Sequence, residues 1–110
     1  HLKALSYPET QKYIEHRMEI AGADHKIFTN EACAAIFCYS EGVPRRINNL
    51  CDFALVYAFA DDSKEVNVNT VIDMIKDKRS STIIKTKDSQ NPDVKRVRSW
   101  LLELYNVHLV

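Results

Sequence analysis

Apolar residues repeat at helical spacing along most of the chain. The longest stripe begins at Ile47 and continues through Ala58 at intervals of three and four residues, which places its members on one helix face. A second stripe with the same period runs from Val68 to Ile75. These patterns predict an all-α fold, a small bundle of four helices plus one C-terminal amphipathic helix.

Capping residues predict where the first two helices begin. Ser6 and Glu9 match a capping box, and we expect the first helix to run to about Ala21, just before a glycine that ends it. Thr29 is expected to cap a second helix over about residues 30–39. A short turn then leads into the next apolar stripe, which makes the second and third helices close neighbours.

The third helix is expected to begin at Pro44, because a proline needs no N–H partner in the first turn, and to extend to about Ala60. Its core stripe is accompanied by further apolar residues on the flanks, which are Phe53, Val56, Tyr57 and Phe59. An apolar surface that extends around a helix is typical of an enclosed helix. We therefore predict that the third helix is central and is covered by its neighbours.

The remaining helices are separated by a polar stretch. Asn67 is expected to cap the fourth helix, and Asn91 with Pro92 to begin the fifth. The apolar stripe of the fifth helix is Val94, Val97, Leu101 and Leu104. We expect this helix to pack back onto the bundle, and docking on a protein partner is the alternative. The predicted divisions are residues 1–79 for the bundle, 80–90 for a linker and 91–110 for the C-terminal helix.

Length and composition exclude several classes of protein. A chain of 110 residues with 45% hydrophobic residues suits one small domain. The formal net charge of zero argues against nucleic-acid binding through a broad basic surface. Two glycines are too few for a glycine-rich phosphate loop, and no apolar run approaches the length of a membrane span. The chain begins at His1 rather than at a methionine, which is typical of an excised fragment.

Cysteine and histidine spacing predicts no metal site. The odd number of cysteines and the absence of a secretion signal favour free thiols, and no Cys-x-x-Cys pair occurs. We expect Cys33 and Cys51 to lie in the core, where a thiol behaves as a small hydrophobe. The histidines are scattered along the chain, at His1, His16, His25 and His108.

The start of the third helix carries the best candidate chemistry. Arg45 follows Pro44 in the first turn, where backbone N–H groups and the helix dipole attract anions. A guanidinium adds bidentate donors for a phosphate group. The plainer interpretation is that Arg45 pairs with Asp52 or faces solvent.

The residues around Arg45 resemble a known motif. The stretch Gly-Val-Pro-Arg-x-Ile-Asn-x-Leu-Cys-Asp-x-Ala-Leu over residues 42–55 is similar to the sensor 2 motif of AAA+ ATPases. The likeness is strongest to ATPases of the general secretion pathway protein A (ExeA-like) type and their transposition-related cousins. It extends over about residues 2–79 and includes the Tyr-Ile-x-His-Arg-Met stretch of the first helix.

The resemblance implies that residues 1–79 form the helical lid of such an ATPase. By its position in the motif, Arg45 would reach the γ-phosphate of ATP and act in catalysis, and Pro44 would lie near the adenine or ribose. Leu5 stands where relatives place an adenine-lining residue, although a core position is the plainer interpretation. The phosphate cradle and the Mg²⁺ site would belong to a preceding α/β domain, so this chain is expected to be inactive alone.

The resemblance also implies partners and a location. The lid would contact its own upstream ATPase domain and work in a homo-oligomer, in the cytoplasm or peripherally at the inner membrane. One alternative is a free-standing DNA-binding module that uses Arg45 and Arg46 together with Lys76, Lys78 and Arg79. The other is a protein-interaction bundle that binds a partner through residues 91–106. Secretion, transposition and polysaccharide export stay open as pathways.

Overall fold

A computed structural model describes residues 3–78 and 89–109, and this part of the chain contains five α-helices. Their bounds are Tyr7–Ile20 (α1), Asn30–Ser40 (α2), Pro44–Ala60 (α3), Val68–Lys78 (α4) and Pro92–Tyr105 (α5). The predicted all-α class is confirmed, and the β pairing in the described residues is a single bridge between Phe28 and Val66. None of these helices combines the length and the apolar character that crossing a bilayer requires.

The helices begin at the capping residues that the sequence indicates. Ser6 and Glu9 form the predicted capping box, with N–H to side-chain oxygen distances of 3.2 and 2.8 Å. The side chains of Thr29 and Asn67 each accept a hydrogen bond from the N–H group three residues later, at 3.1 and 3.0 Å. Asn91 accepts from the N–H two residues later at 2.9 Å. Local side-chain chemistry therefore decides these starts.

The enclosed helix is α2, which packs against each of the other four helices. Every residue from 32 to 40 in it is buried. Small side chains, among them Ala32, Ala34 and Ala35, let neighbouring helices approach α2 on every side. A helix that is apolar all round is a core helix, and α2 rather than α3 has that role here.

The predicted enclosure of α3 is wrong. Its core stripe is buried as expected, through Ile47, Leu50, Cys51, Ala54 and Ala58. Three of the four flanking residues, however, face solvent, with exposed fractions of 43% for Phe53, 63% for Val56 and 87% for Phe59, whereas Tyr57 is half-buried. The reason is that α3 lies at the edge of the bundle, where α1, α2 and α4 cover one side of it.

Helix α5 packs against α2 through Val94, Val97 and Leu101, which are buried. Leu104 does not continue this stripe, since it is 67% exposed. The helix ends at Tyr105, Asn106 takes a left-handed conformation, and the turned chain brings Leu109 into the core instead. The predicted linker, residues 80–90, lies outside the described residues except for its last two positions.

All three cysteines are free and buried, as predicted for Cys33 and Cys51. Burial raises the pKa of each thiol, at Cys33, Cys38 and Cys51, to about 12. A thiol with so high a pKa holds almost no thiolate at neutral pH, so these cysteines fill the core and are poor nucleophiles.

Candidate functional site

The candidate site lies where the chain turns from α2 into α3. Glu41 adopts a left-handed conformation with φ of 52°, and Gly42 follows with φ of 79°. The buried hydroxyl of Ser40 accepts a hydrogen bond from the Gly42 N–H at 3.1 Å and donates one to the Phe37 carbonyl at 3.3 Å. Two consecutive left-handed residues and this buried hydroxyl determine the direction in which α3 begins.

Gly42 also brings the N-terminal segment to the site. The Leu5 N–H donates a hydrogen bond to the Gly42 carbonyl at 2.8 Å. A Cβ atom at Gly42 would lie 1.9 Å from the Leu5 carbonyl oxygen, so this approach requires glycine. Leu5 and the first turn of α3, which contains Pro44 and Arg45, are therefore held at the same end of the bundle. Leu5 is half-buried and packs on the core.

The first turn of α3 lacks the features that usually satisfy a helix start. Val43 occupies the N-cap position and supplies no side-chain hydrogen bond, and the first turn contains no acidic residue. Pro44 is buried at the first helical position, where its fixed φ suits the helix. The uncapped end keeps its partial positive charge, which an anion would neutralise.

Two arginines are added to this positive end. Arg45 and Arg46 are exposed, and neither forms a hydrogen bond or ion pair with residues 3–78 or 89–109. The alternative pairing of Arg45 with Asp52 is not found, because Asp52 lies 3.6 Å from the Arg17 guanidinium. Cations at a helix N-terminus are electrostatically unfavourable, so the arrangement is locally costly and suited to an anion.

Two contacts between α1 and α3 position the site, and the sequence analysis did not identify them. The Tyr13 hydroxyl donates to Asn48 Oδ1 at 2.8 Å, and Arg17 pairs with Asp52 one turn later. The signal was available in the sequence, because each helix offers its two polar residues at a spacing of four. These contacts orient α3 against α1 without using Arg45.

A third contact that positions the site comes from the segment before α5. The Ser89 hydroxyl donates a hydrogen bond to Glu41 Oε1 at 2.8 Å. Ser89 is itself buried and accepts a hydrogen bond from the Asn91 N–H at 3.2 Å. The α2–α3 turn is thus hydrogen-bonded both to Leu5 and to the segment before α5. The orientation of the first turn of α3, which carries Arg45, therefore depends on contacts with several parts of the bundle.

The cations of the alternative DNA-binding surface are described only in part. Lys76 is exposed on α4, whereas the side chain of Lys78 and the whole of Arg79 lie outside the described part of the chain. Next to Lys76, Asp77 accepts a hydrogen bond from the Tyr57 hydroxyl at 2.6 Å. The end of α4 therefore lies beside the C-terminal half of α3, whereas Arg45 and Arg46 lie in the first turn.

The described residues contain no group of three or more histidine, cysteine or acidic side chains placed to hold a metal ion. The site at the start of α3 instead offers backbone N–H groups and guanidinium groups, which are donors and positive charges. Such an arrangement is suited to recognising an oxyanion.

Comparison with known proteins relates part of the chain to a secretion protein. Over 66 residues the chain is 39% identical to the General secretion pathway protein A of Aeromonas hydrophila. The match covers 60% of this chain and 12% of that protein, so the chain spans about an eighth of the length of this relative. No family model and no solved structure matches the sequence. The chain is thus similar to a short part of a secretion-pathway protein.

Proposed function

We propose that this chain is the helical lid of an AAA+ ATPase related to general secretion pathway protein A, and that Arg45 senses the γ-phosphate of ATP. The observation that carries the proposal is the start of α3, which is uncapped, lacks acidic residues and presents Arg45 to solvent. The similarity to the secretion-pathway protein supports the same assignment. We infer that it works in a secretion- or transposition-related machine, and the similarity supports the secretion-related assignment.

The residues at this end fit a nucleotide phosphate. Arg45 offers planar donors for two phosphate oxygens, and the first-turn N–H groups add a favourable dipole. The helix start has no acidic residue that would compete for the guanidinium. Binding an anion there would remove the electrostatic cost of placing cations at the positive end of α3.

Leu5 and Pro44 have different parts in the proposal. Leu5 keeps a partly exposed side chain at the same end, which an adenine ring could cover. Pro44 is buried against the chain itself, so its main contribution is to hold the first turn of α3 in place. We assign to both residues the role of shaping the nucleotide-facing end of the lid.

The rest of the chemistry belongs to other parts of the proposed machine. Phosphoryl transfer requires a phosphate cradle and a Mg²⁺ site, which we assign to an α/β domain of the same polypeptide. The lid would close over ATP by a hinge motion and pass the nucleotide state to neighbouring subunits of a homo-oligomer. We place this machine in the cytoplasm, with peripheral association at the inner membrane through its partners.

The experiment compares Arg45→Ala with Arg46→Ala in the intact ATPase. Arg45→Ala should lower steady-state ATP turnover by about tenfold to a thousandfold, the usual cost of removing one electrostatic stabiliser. Its effect on stability should stay within about 0.5 kcal/mol, because Arg45 is exposed. Arg46→Ala is the matched control and should do much less, since it lies about 100° further around the helix.

Thermal unfolding of both variants accompanies the turnover measurement. Equal losses of activity for the two arginines would reject the sensor role of Arg45. So would an activity loss that unfolding of the Arg45 variant explains completely. Salt-dependent DNA binding by the 110-residue chain, lost in both variants, would favour the DNA-binding alternative instead.

A further inference from the structure

The last turns of α3 carry an apolar surface that the bundle leaves uncovered. Val56 is 63% exposed and Phe59 is 87% exposed. Together with Leu55 and Ile27 they line a groove of about 410 Å³ between α3 and the loop residues 63–66. We call the surface formed by Ile27, Leu55, Val56 and Phe59 the α3 end face.

The neighbouring helix α1 also leaves an apolar residue exposed near its end. The contacts of Tyr13 with Asn48 and of Arg17 with Asp52 show that α1 and α3 run in parallel register. One turn further along, the register carries Ile20 of α1 and Val56 of α3 toward the same end of the bundle. Ile20 is 74% exposed. Exposed apolar side chains gathered at one end of a bundle are characteristic of an interaction site.

The loops that border the α3 end face contain more acidic than basic side chains. Four exposed carboxylates lie in the loops that flank it, at Asp24, Asp61, Asp62 and Glu65. The lysines in the same loops are Lys64 and Lys26, and the Lys26 ammonium lies 3.9 Å from Glu15 Oε2 outside these loops. The ring nitrogens of His25 already face Asp24 Oδ1 and the Lys64 carbonyl at 2.8 and 2.9 Å. The whole chain has zero formal net charge, so this acidic excess is local.

We propose that the α3 end face binds an amphipathic helical segment of a partner protein, with apolar residues on one side and lysine or arginine beside them. The apolar side would enter the groove, and the basic residues would meet the acidic border. This surface does not depend on the proposed nucleotide role, because Phe59 lies fourteen residues after Arg45, about 21 Å along the helix.

Charge complementarity distinguishes this partner from a second copy of the chain. In a symmetric dimer the same surface meets itself, so the acidic borders of two copies would face each other. Like charges across an interface are unfavourable. A basic segment meets the border with the opposite sign, and an amphipathic helix presents its apolar side chains on one side, toward the groove.

The first measurement uses two synthetic peptides of about 18 residues, long enough to form several helical turns. Both carry leucine at positions i, i+3, i+4 and i+7, and they differ in having lysine or glutamate at the other positions. Titration calorimetry on the 110-residue chain should show that the lysine peptide binds at least about tenfold more tightly, and that added salt weakens its binding.

Variants of the chain locate the binding. Val56→Ala combined with Phe59→Ala should weaken binding of the lysine peptide at least about tenfold, and Asp61→Asn with Asp62→Asn should weaken it by a smaller factor and reduce the salt dependence. The matched controls lie on α5, where Leu104 and Glu103 are exposed. Leu104→Ala and Glu103→Gln should leave the affinity unchanged.

Several outcomes would overturn the proposal. These are equal affinity for the two peptides, an equal loss in the α5 controls, and a concentration-dependent dimer that Val56→Ala with Phe59→Ala abolishes, which would assign the face to a second copy. Arg45→Ala should leave peptide binding unchanged. The failure of either proposal is thus distinguishable from the failure of the other.

Discussion

At the scale of single residues, the informative positions are those where the structure constrains one residue more than the sequence suggests. Gly22 and Gly42 both have positive φ, of 94° and 79°. A Cβ atom at Gly22 would meet no atom within 4 Å, whereas at Gly42 it would overlap the backbone of Leu5. Both glycines therefore have a left-handed backbone, but only Gly42 also lies too close to another segment to accommodate a Cβ atom.

Gly42→Ala should cost more than about 2 kcal/mol, because it adds a backbone clash to the cost of a left-handed alanine. Gly22→Ala is its control and should cost about 1 kcal/mol through the left-handed conformation alone. Urea denaturation of both variants checks this. Equal losses of unfolding free energy would contradict the tight contact between Leu5 and Gly42.

His25 predicts a pH dependence of stability. Its hydrogen bonds with Asp24 and with the Lys64 carbonyl raise the pKa of the imidazole. A group whose pKa is raised by folding contributes its full stabilisation at pH values below its ordinary pKa, which is about 6.5 for histidine. The protein loses this contribution as the pH rises through the raised pKa. The protonated ring is also the form that donates to both oxygens.

The measurement is the difference in melting temperature between the unmodified chain and His25→Gln. We expect the melting temperature of the unmodified chain to exceed that of His25→Gln by more at about pH 5.5 than at about pH 8.5. His16→Gln, which changes an exposed histidine on α1, is the matched control for replacing a histidine. A His25→Gln difference in melting temperature that is the same at both pH values would show that the stabilising effect of the His25 hydrogen bonds does not depend on protonation of the ring.

At the scale of elements, helix position in the bundle depends on side-chain size as well as on periodicity. Helix α2 is surrounded because its alanines and cysteines let four helices approach it. Helix α3 has larger apolar side chains on its flanks, yet it lies at the edge and leaves Val56 and Phe59 exposed. The same apolar content thus belongs to the core in α2 and to a candidate interface in α3.

The two sides of α3 should respond differently to truncation. Leu50→Ala should cost about 2–5 kcal/mol, because Leu50 is only 7% exposed and its removal leaves a cavity. Val56→Ala on the same helix should change stability by no more than about 0.5 kcal/mol. Chemical denaturation followed by far-UV circular dichroism compares the two. Similar losses would mean that the outer side of α3 is covered after all.

At the scale of the whole molecule, the start of α3 is cationic and the loop that follows its end has an acidic excess, although the chain as a whole is neutral. The α2–α3 turn, which precedes Arg45, forms hydrogen bonds with Leu5 and Ser89, which lie at distant positions in the sequence. Trp100 of α5 contacts Tyr7 of α1, with ring centroids 6.2 Å apart, and so connects the two ends of the described chain.

Local features of the sequence were sufficient to predict the helices. Ser6, Thr29, Asn67 and Asn91 cap the helices that follow them, since a capping bond forms within a few residues of the chain. Periodicity identified the buried stripe of α3 from Ile47 onward for the same reason. The candidate site was located through Pro44 and Arg45, whose role remains a proposal.

The tertiary structure decided what depends on neighbours distant in the sequence. Periodicity shows which face of a helix is apolar but not how many helices cover it, so the exposure of Phe59 and Leu104 was not foreseen. The pairing of Asp52 with Arg17 rather than Arg45 depends in the same way on how α1 lies against α3. Burial and pairing are properties of packed helices, and a local pattern contains neither the distance nor the direction of the partner.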